Sequence, residues 1–332
     1  MHPLLRAAAD RQLGLFTATD ARRAGYEHTE IRRNCSTGVW ARLRRGVYAT
    51  TADLAALEAR GRRHQAECLA VLLDLDRPRT AISHGSAAVL WGLLVRRGAV
   101  TDVRLTDPAL SRRGRGFRIV QAPLRPGEIV RSGQIRLTST SRTLLDCARE
   151  WDLEDAVVAM DDALRKKKVT LDQLRDGAAT MAGWARISRA TRAVALTDGR
   201  AESPLESRGR LRLVGAGLVP DELQVEIRSG GRLVGVVDAW FEHAAVAVEF
   251  DGQIKYTDPW RNRSPAQVLW DEKRREDELR ALDIRVVRIA EADLGGAWQR
   301  TEERLRDLLA APGPSRRRFT ATRRLAVADR AG

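Results

Sequence analysis

At 332 residues, 43% hydrophobic and 31% charged, the chain is long enough for two or three domains that each bury a core, and its composition excludes a disordered polymer. Its formal net charge of +14 and pI near 10.8 favour a polyanionic partner. No apolar run approaches the roughly 20 residues that span a bilayer, the start His2-Pro-Leu-Leu-Arg6 lacks a basic-then-apolar leader, and Cys35, Cys68 and Cys147 are scattered and odd in number, so the expectation is a cytoplasmic protein with no membrane anchor and no disulfide framework.

The first elements predict a helix-turn-helix. Thr17-Ala-Thr-Asp20-Ala-Arg-Arg-Ala24 reads as a short capped helix, Gly25 as a tight turn, and His28 to Thr37 as a second helix. That second helix offers Thr29, Glu30, Arg32, Arg33 and Asn34 to a DNA groove and leaves Ile31 to pack inward. Next, Val39-Trp-Ala-Arg-Leu-Arg-Arg45-Gly-Val-Tyr-Ala49 alternates apolar and basic residues around a glycine, the pattern of a β-wing with Arg44 and Arg45 at its tip. Residues 1–50 hold nine Arg against four acids, a charge excess suited to a nucleic-acid backbone. Arg22 and Arg23 fit either phosphate contact or a solvated helix face. The longer pattern, from Gly14-Leu-Phe-Thr through Gly38-Val-Trp to Leu43-Arg-Arg-Gly-Val-Tyr48, resembles the winged-helix domain of type IV abortive-infection (AbiEi-like) antitoxins. The resemblance implies a DNA-binding regulator with a cognate toxin as partner.

Residues 51–200 read as a mixed α/β scaffold. Ala55 to Leu75 and Ser83-His84-Gly-Ser-Ala-Ala-Val-Leu-Trp91 predict helices, whereas Thr101-Asp-Val-Arg-Leu105 and Gly116-Phe-Arg-Ile-Val120 predict strands. Thr138-Ser-Thr-Ser-Arg142-Thr-Leu-Leu-Asp146 opens another helix, in which Arg142 and Asp146 stand one turn apart as an expected ion pair. This segment resembles the domain that follows the winged helix in the antitoxins. His84 has no Cys or His at metal-ligand spacing and is expected to be structural.

The C-terminal third carries chemistry. Leu233-Val-Gly-Val-Val-Asp238 and Val246-Ala-Val-Glu249-Phe-Asp251 read as central strands that end in carboxylates, with Ala239 to His243 turning the chain back antiparallel. Alternation puts Glu249 and Asp251 on one face and Val248 and Phe250 on the other, and the hairpin is expected to bring Asp238 beside Glu249. Carboxylates that close repel unless a divalent cation lies between them, and oxygen ligands suit Mg²⁺ or Mn²⁺ better than zinc. Of the 58 basic residues only five are lysine, leaving 53 arginines; apart from Lys166–Lys168 the lysines are Lys255 and Lys273, both near these acids. Lysine supplies a movable point charge that a guanidinium fork does not.

Upstream, Glu202-Ser-Pro-Leu-Glu206 opens a helix with Ser203 as cap, and downstream Gln267 to Leu282 reads as a helix before the strand Ile284-Arg-Val-Val-Arg-Ile289. Arg274 or Arg275 on that helix fits either a phosphate contact or a solvated face. The acids and this element order, over roughly residues 201–310, resemble the PD-(D/E)XK nuclease superfamily in its very-short-patch-repair-like branch. The resemblance implies a metal on Asp238, Glu249 and Asp251, and a catalytic set of Glu206, Asp238, Glu249 and Asp251 with Lys255 or Lys273. The chain departs from the motif, because the residue two after Glu249 is Asp251 rather than lysine.

The expected architecture is therefore mixed α/β (α+β): a winged helix over 1–50, the scaffold over 51–200, a restriction-endonuclease-like mixed sheet flanked by helices over 201–311, and a basic flexible tail over 312–332. Two function classes follow: a DNA-binding antitoxin-type regulator with an Mg²⁺-dependent endonuclease domain, or the same regulator with a nuclease-like domain that only binds nucleic acid or a partner.

Overall fold

The structure, a computed structural model, describes residues 1–96, 98–252 and 265–324. It is a mixed α/β protein of two compact units, residues 1–159 with 169–191 and residues 160–168 with 192–332. No helix among the described residues is long and apolar enough to cross a membrane.

The first unit opens with α1 (Pro3–Arg11), β1 (Leu15–Thr17), α2 (Ala18–Arg23), α3 (His28–Ser36), β2 (Trp40–Arg44) and β3 (Val47–Thr50), the element order of a winged helix. Its sheet runs β1-β3-β2, antiparallel throughout. Thr17 and Asp20 form a reciprocal capping box, in which the Asp20 amide donates to Thr17 Oγ1 (3.1 Å) and the Thr17 amide to Asp20 Oδ2 (2.8 Å). Gly25, at φ +90°, makes the turn that a side chain would strain. Ile31 is buried against Leu5, Phe16 and Trp40, as the expected inward face requires, and the Trp40 ring stands edge-on to Phe16 at 4.8 Å.

Then α4 (Thr51–Ala59) and α5 (Arg63–Leu75) lead to a second sheet built from β4 (Ala81–Ile82), β5 (Val103–Asp107), β6 (Arg112–Gly114), β7 (Phe117–Gln121), β8 (Ile129–Ser132) and β9 (Ile135–Thr138), in the order β6-β7-β5-β4-β9-β8. Around it lie α6 (His84–Leu90), α7 (Thr140–Ala148), α8 (Leu153–Arg165), α9 (Leu171–Thr180) and α10 (Ile187–Leu196); α8 and α10 have residues in both units. Leu15 and Val47 of the small sheet share one core with Leu69, Ile82, Leu105 and Phe117. The winged helix and the adjoining sheet thus pack as one unit, and the change of pattern at residue 50 is not a break in the core.

Arg142 is the buried centre of that unit. Its Nε donates to Asp146 Oδ2 (2.8 Å), its Nη1 to Glu128 Oε2 (2.9 Å) and to the Pro123 carbonyl (3.0 Å), and its guanidinium lies 4.7 Å from the Trp184 ring centre. Arg149 adds a second bond to Asp146 (3.1 Å). His84 is buried with Nδ1 2.8 Å from Ser83 Oγ and Nε2 3.7 Å from Glu150 Oε1, and burial holds its pKa below the ordinary value.

In the second unit, α11 (Pro204–Gly215) precedes β10 (Glu222–Ser229), β11 (Arg232–Phe241) and β12 (Val246–Asp251); α12 (Pro265–Ala281), β13 (Arg285–Ala290), a 3₁₀ turn at Glu291–Leu294, α13 (Trp298–Ala310) and β14 (Thr320–Arg323) follow. The sheet runs β13-β12-β11-β10-β14, and only β12 and β13 are parallel, since α12 is their crossover. Both faces are covered: Leu205, Leu213, Val248, Phe250 and Leu305 on the α11 and α13 side, and Val237, Trp240, Ala247 and Leu279 on the α12 side. A Cβ on Gly209 would stand 1.9 Å from the Phe250 ring, so only glycine lets α11 approach β12 this closely.

The stretch read as a flexible tail is partly a strand. β14 pairs antiparallel with β10 from Val225↔Arg323 to Arg228↔Thr320, filling a ladder edge that β10 otherwise leaves open. Phe319 anchors it, edge-on to Trp240 at 5.8 Å. The arginine run masked this one apolar anchor.

Replacing Asp146 by alanine strips two guanidinium bonds from the buried Arg142 site. The expected cost is about 3–5 kcal/mol of stability, read from the urea midpoint; a loss below about 1 kcal/mol contradicts the assigned role.

Candidate functional site

Two regions hold the side chains that the sequence singles out. In the winged helix, α3 exposes Thr29, Arg32 and Arg33 on the surface away from buried Ile31, and the wing turn exposes Arg45. Asn34 is half-buried and its amide donates to the Glu30 carbonyl one turn back (3.0 Å). Arg44 is placed differently from its neighbour. Its guanidinium donates to the carbonyls of Arg115 and Gly116 and lies 5.4 Å from the Phe117 ring centre, so the charge expected at the wing tip is directed at the β6–β7 hairpin. A β-bulge between Arg42 and Arg44 turns the side chain that way.

The second region lies where β10, β11 and β12 meet α11. Ser203 caps α11 by accepting the Glu206 amide (3.2 Å), which fixes Glu206 in the first turn. Glu206 Oε2 accepts from the Glu202 amide (2.7 Å) and from Gln224 Nε2 (3.0 Å), and the same Gln224 nitrogen donates to Asp238 Oδ1 (3.1 Å). Asp238 Oδ2 accepts from the Phe250 amide (2.8 Å). Gln224 sits at φ +53°, a strained backbone for a non-glycine residue and a feature that clusters at functional sites. Burial first, and the Asp238 charge second, push the Glu206 carboxyl up to about 7. Gln224 was not singled out by sequence pattern; its signal is a polar residue between Leu223 and Val225, in line with Asp238 across the β10–β11 ladder.

Glu249 has other neighbours. Its carboxylate accepts from Arg275 Nη2 (3.0 Å) and faces Arg288 Nε at 3.6 Å, while Arg275 Nη1 donates to the Val236 carbonyl (3.1 Å). Asp251 ends β12, half-buried, in register with Ala290. Lys273 is exposed on α12 beside Trp270 and Asp277; two residues before Arg275 on a helix, it projects about 200° away from the face that reaches Glu249. Lys255 lies outside the described residues.

The structure therefore joins Glu206 to Asp238 through Gln224, and joins Glu249 to two arginines. Among the described residues no three His, Cys, Asp or Glu side chains are grouped to hold a metal ion. Of the acids expected to hold Mg²⁺ or Mn²⁺, Asp238, Glu249 and Asp251, Glu249 is the one in contact with guanidinium groups.

Comparison with known proteins bears on the first region. Residues 3–51 match the family of AbiEi antitoxin transcriptional regulators. That AbiEi segment ends at the close of β3 and contains the whole helix-turn-helix and wing. Two uncharacterized proteins from strains of Mycobacterium tuberculosis are each 28% identical over 212 residues, which covers 63% of this chain and 74% of the relative. The similarity to them extends well beyond the AbiEi segment.

Glu206 gives a pH test. A carboxyl whose folded pKa lies above its unfolded value of about 4.5 contributes stability that is full below pH 4.5 and lost as pH rises through about 7. The wild type should lose on the order of 2–3 kcal/mol relative to Glu206→Gln protein between pH 4.5 and 7.5. A difference in stability that stays flat over that window contradicts the assignment.

Proposed function

We propose that this chain is a DNA-binding transcriptional regulator of the antitoxin kind, working in the cytoplasm, whose winged helix holds duplex DNA. One observation carries the reading: in the segment that matches the AbiEi regulators, Arg32, Arg33 and Arg45 are exposed, and none of them is ion-paired with an acid among the described residues. α3 is placed by Ile31 on one side and leaves its basic side to a major groove; Arg45 is placed to meet the backbone beside it. A toxin protein as partner belongs to the same reading.

The test is duplex binding by fluorescence anisotropy over a salt series. Each phosphate contact contributes about 0.9 to the slope of log K against log salt. Arg32→Ala/Arg33→Ala/Arg45→Ala protein should lose affinity and about 2–3 units of slope, whereas unchanged affinity and slope overturn the reading.

A second reading, phosphodiester hydrolysis with Mg²⁺ or Mn²⁺ in the C-terminal unit, is favoured by one observation: Glu206 and Asp238 share a single Gln224 donor, and their mutual repulsion would be relieved by a cation. Plasmid and linear DNA incubated with either cation should then be cut by the wild type and left intact by Asp238→Ala protein. Absence of cleavage by the wild type leaves the second unit a binding module.

A further inference from the structure

Outside the winged helix, the β6–β7 hairpin is a strongly basic piece of surface. Its residues Ser111-Arg112-Arg113-Gly114-Arg115-Gly116-Phe117-Arg118 place four arginines in seven positions, all four exposed. None of the four has an acid at ion-pairing distance among the described residues. Arg113 and Arg118 are direct partners across the two strands, a like-charge pairing that weakens a sheet. Such a pair is stabilised when an anion lies against it.

The hairpin is also held beside the wing. Arg44 bonds to the carbonyls at its tip, and the Arg44 and Arg112 guanidinium groups lie 5.4 and 5.9 Å from the Phe117 ring centre. Gly114 is required for this packing, because a Cβ there would stand 2.2 Å from the Phe117 ring, and Gly116 turns the chain at φ +70°. Arg44 therefore acts as a bracket that ties the wing to the hairpin tip flanked by Arg113 and Arg115.

We propose that the β6–β7 hairpin is a second DNA-contacting element, which meets the phosphate backbone beside the segment held by the wing, with Arg113 and Arg115 as its contacts. The inference rests on the reading that α3 and the wing bind duplex DNA. A duplex presents one negative charge per about 1.7 Å of its axis, so a basic ridge fixed beside the wing meets backbone continuous with that under Arg45. The hairpin lies outside the segment that matches the AbiEi regulators, which ends at residue 51.

Full-length Arg113→Ala/Arg115→Ala protein, compared with wild type on one duplex over a salt series, tests it. Loss of two contacts should lower the log–log slope by about 1.8 and weaken binding about 10- to 100-fold at 0.1 M salt. Arg113→Lys/Arg115→Lys protein should recover the slope, and an unchanged melting curve for the alanine protein excludes misfolding as the cause. Alanine protein with wild-type affinity and slope, on a duplex that still loses affinity for Arg32→Ala/Arg33→Ala protein, overturns this inference alone and leaves the ridge to an acidic protein surface. A wild type that binds no duplex removes both readings together.

Discussion

A guanidinium keeps its charge at every physiological pH, so each of this chain's 53 arginines must be matched by a carboxylate, a carbonyl or a ring, or else face water or a polyanion. How that matching is distributed organises both units. Arg142 pairs with Asp146 within α7 and fastens that helix to Glu128, and Arg210 bonds to Asp161 (3.0 Å) within the second unit. Arg275 and Arg288 take Glu249. Arginines with no acid at ion-pairing distance among the described residues include Arg32 and Arg33 on α3, Arg45 in the wing turn and the four of the β6–β7 hairpin.

That distribution separates two kinds of carboxylate in the C-terminal unit. Glu249 is neutralised by arginine, so its negative charge is already balanced. Glu206 and Asp238 are instead joined by the amide of Gln224, which bonds to both without carrying charge, and burial first, with the Asp238 charge second, raises the Glu206 pKa. The regulator reading does not depend on this cluster, because the arginines that carry it lie in the other unit.

Much of the winged helix was legible because its signals are local. Thr17 and Asp20 stand three residues apart, Gly25 marks its own turn, and the α3 boundaries follow from capping and from Ile31. The central strands of the C-terminal sheet were equally plain, since Val246, Val248 and Phe250 pack against one helix layer while Ala247 packs against the other. What escaped was set by distant partners. Arg44 reads like Arg45 in sequence, yet it is claimed by carbonyls about seventy residues on. Lys273 lies near the acids in sequence but projects from another side of α12 than Arg275, and β14 was hidden in an arginine run whose large apolar anchor is Phe319. The partners of Glu249 come from α12 and β13, so no spacing rule applied to β12 reveals them.

The central claim is that duplex DNA lies against the first unit. Hydrogen–deuterium exchange of the full chain with and without a saturating duplex measures this directly, residue stretch by residue stretch. The account predicts slowed exchange over 28–36, 40–47 and 112–118, with the strands around Gln224 and Asp238 unchanged. Protection confined to 201–324, or none anywhere while the duplex is bound, would contradict it.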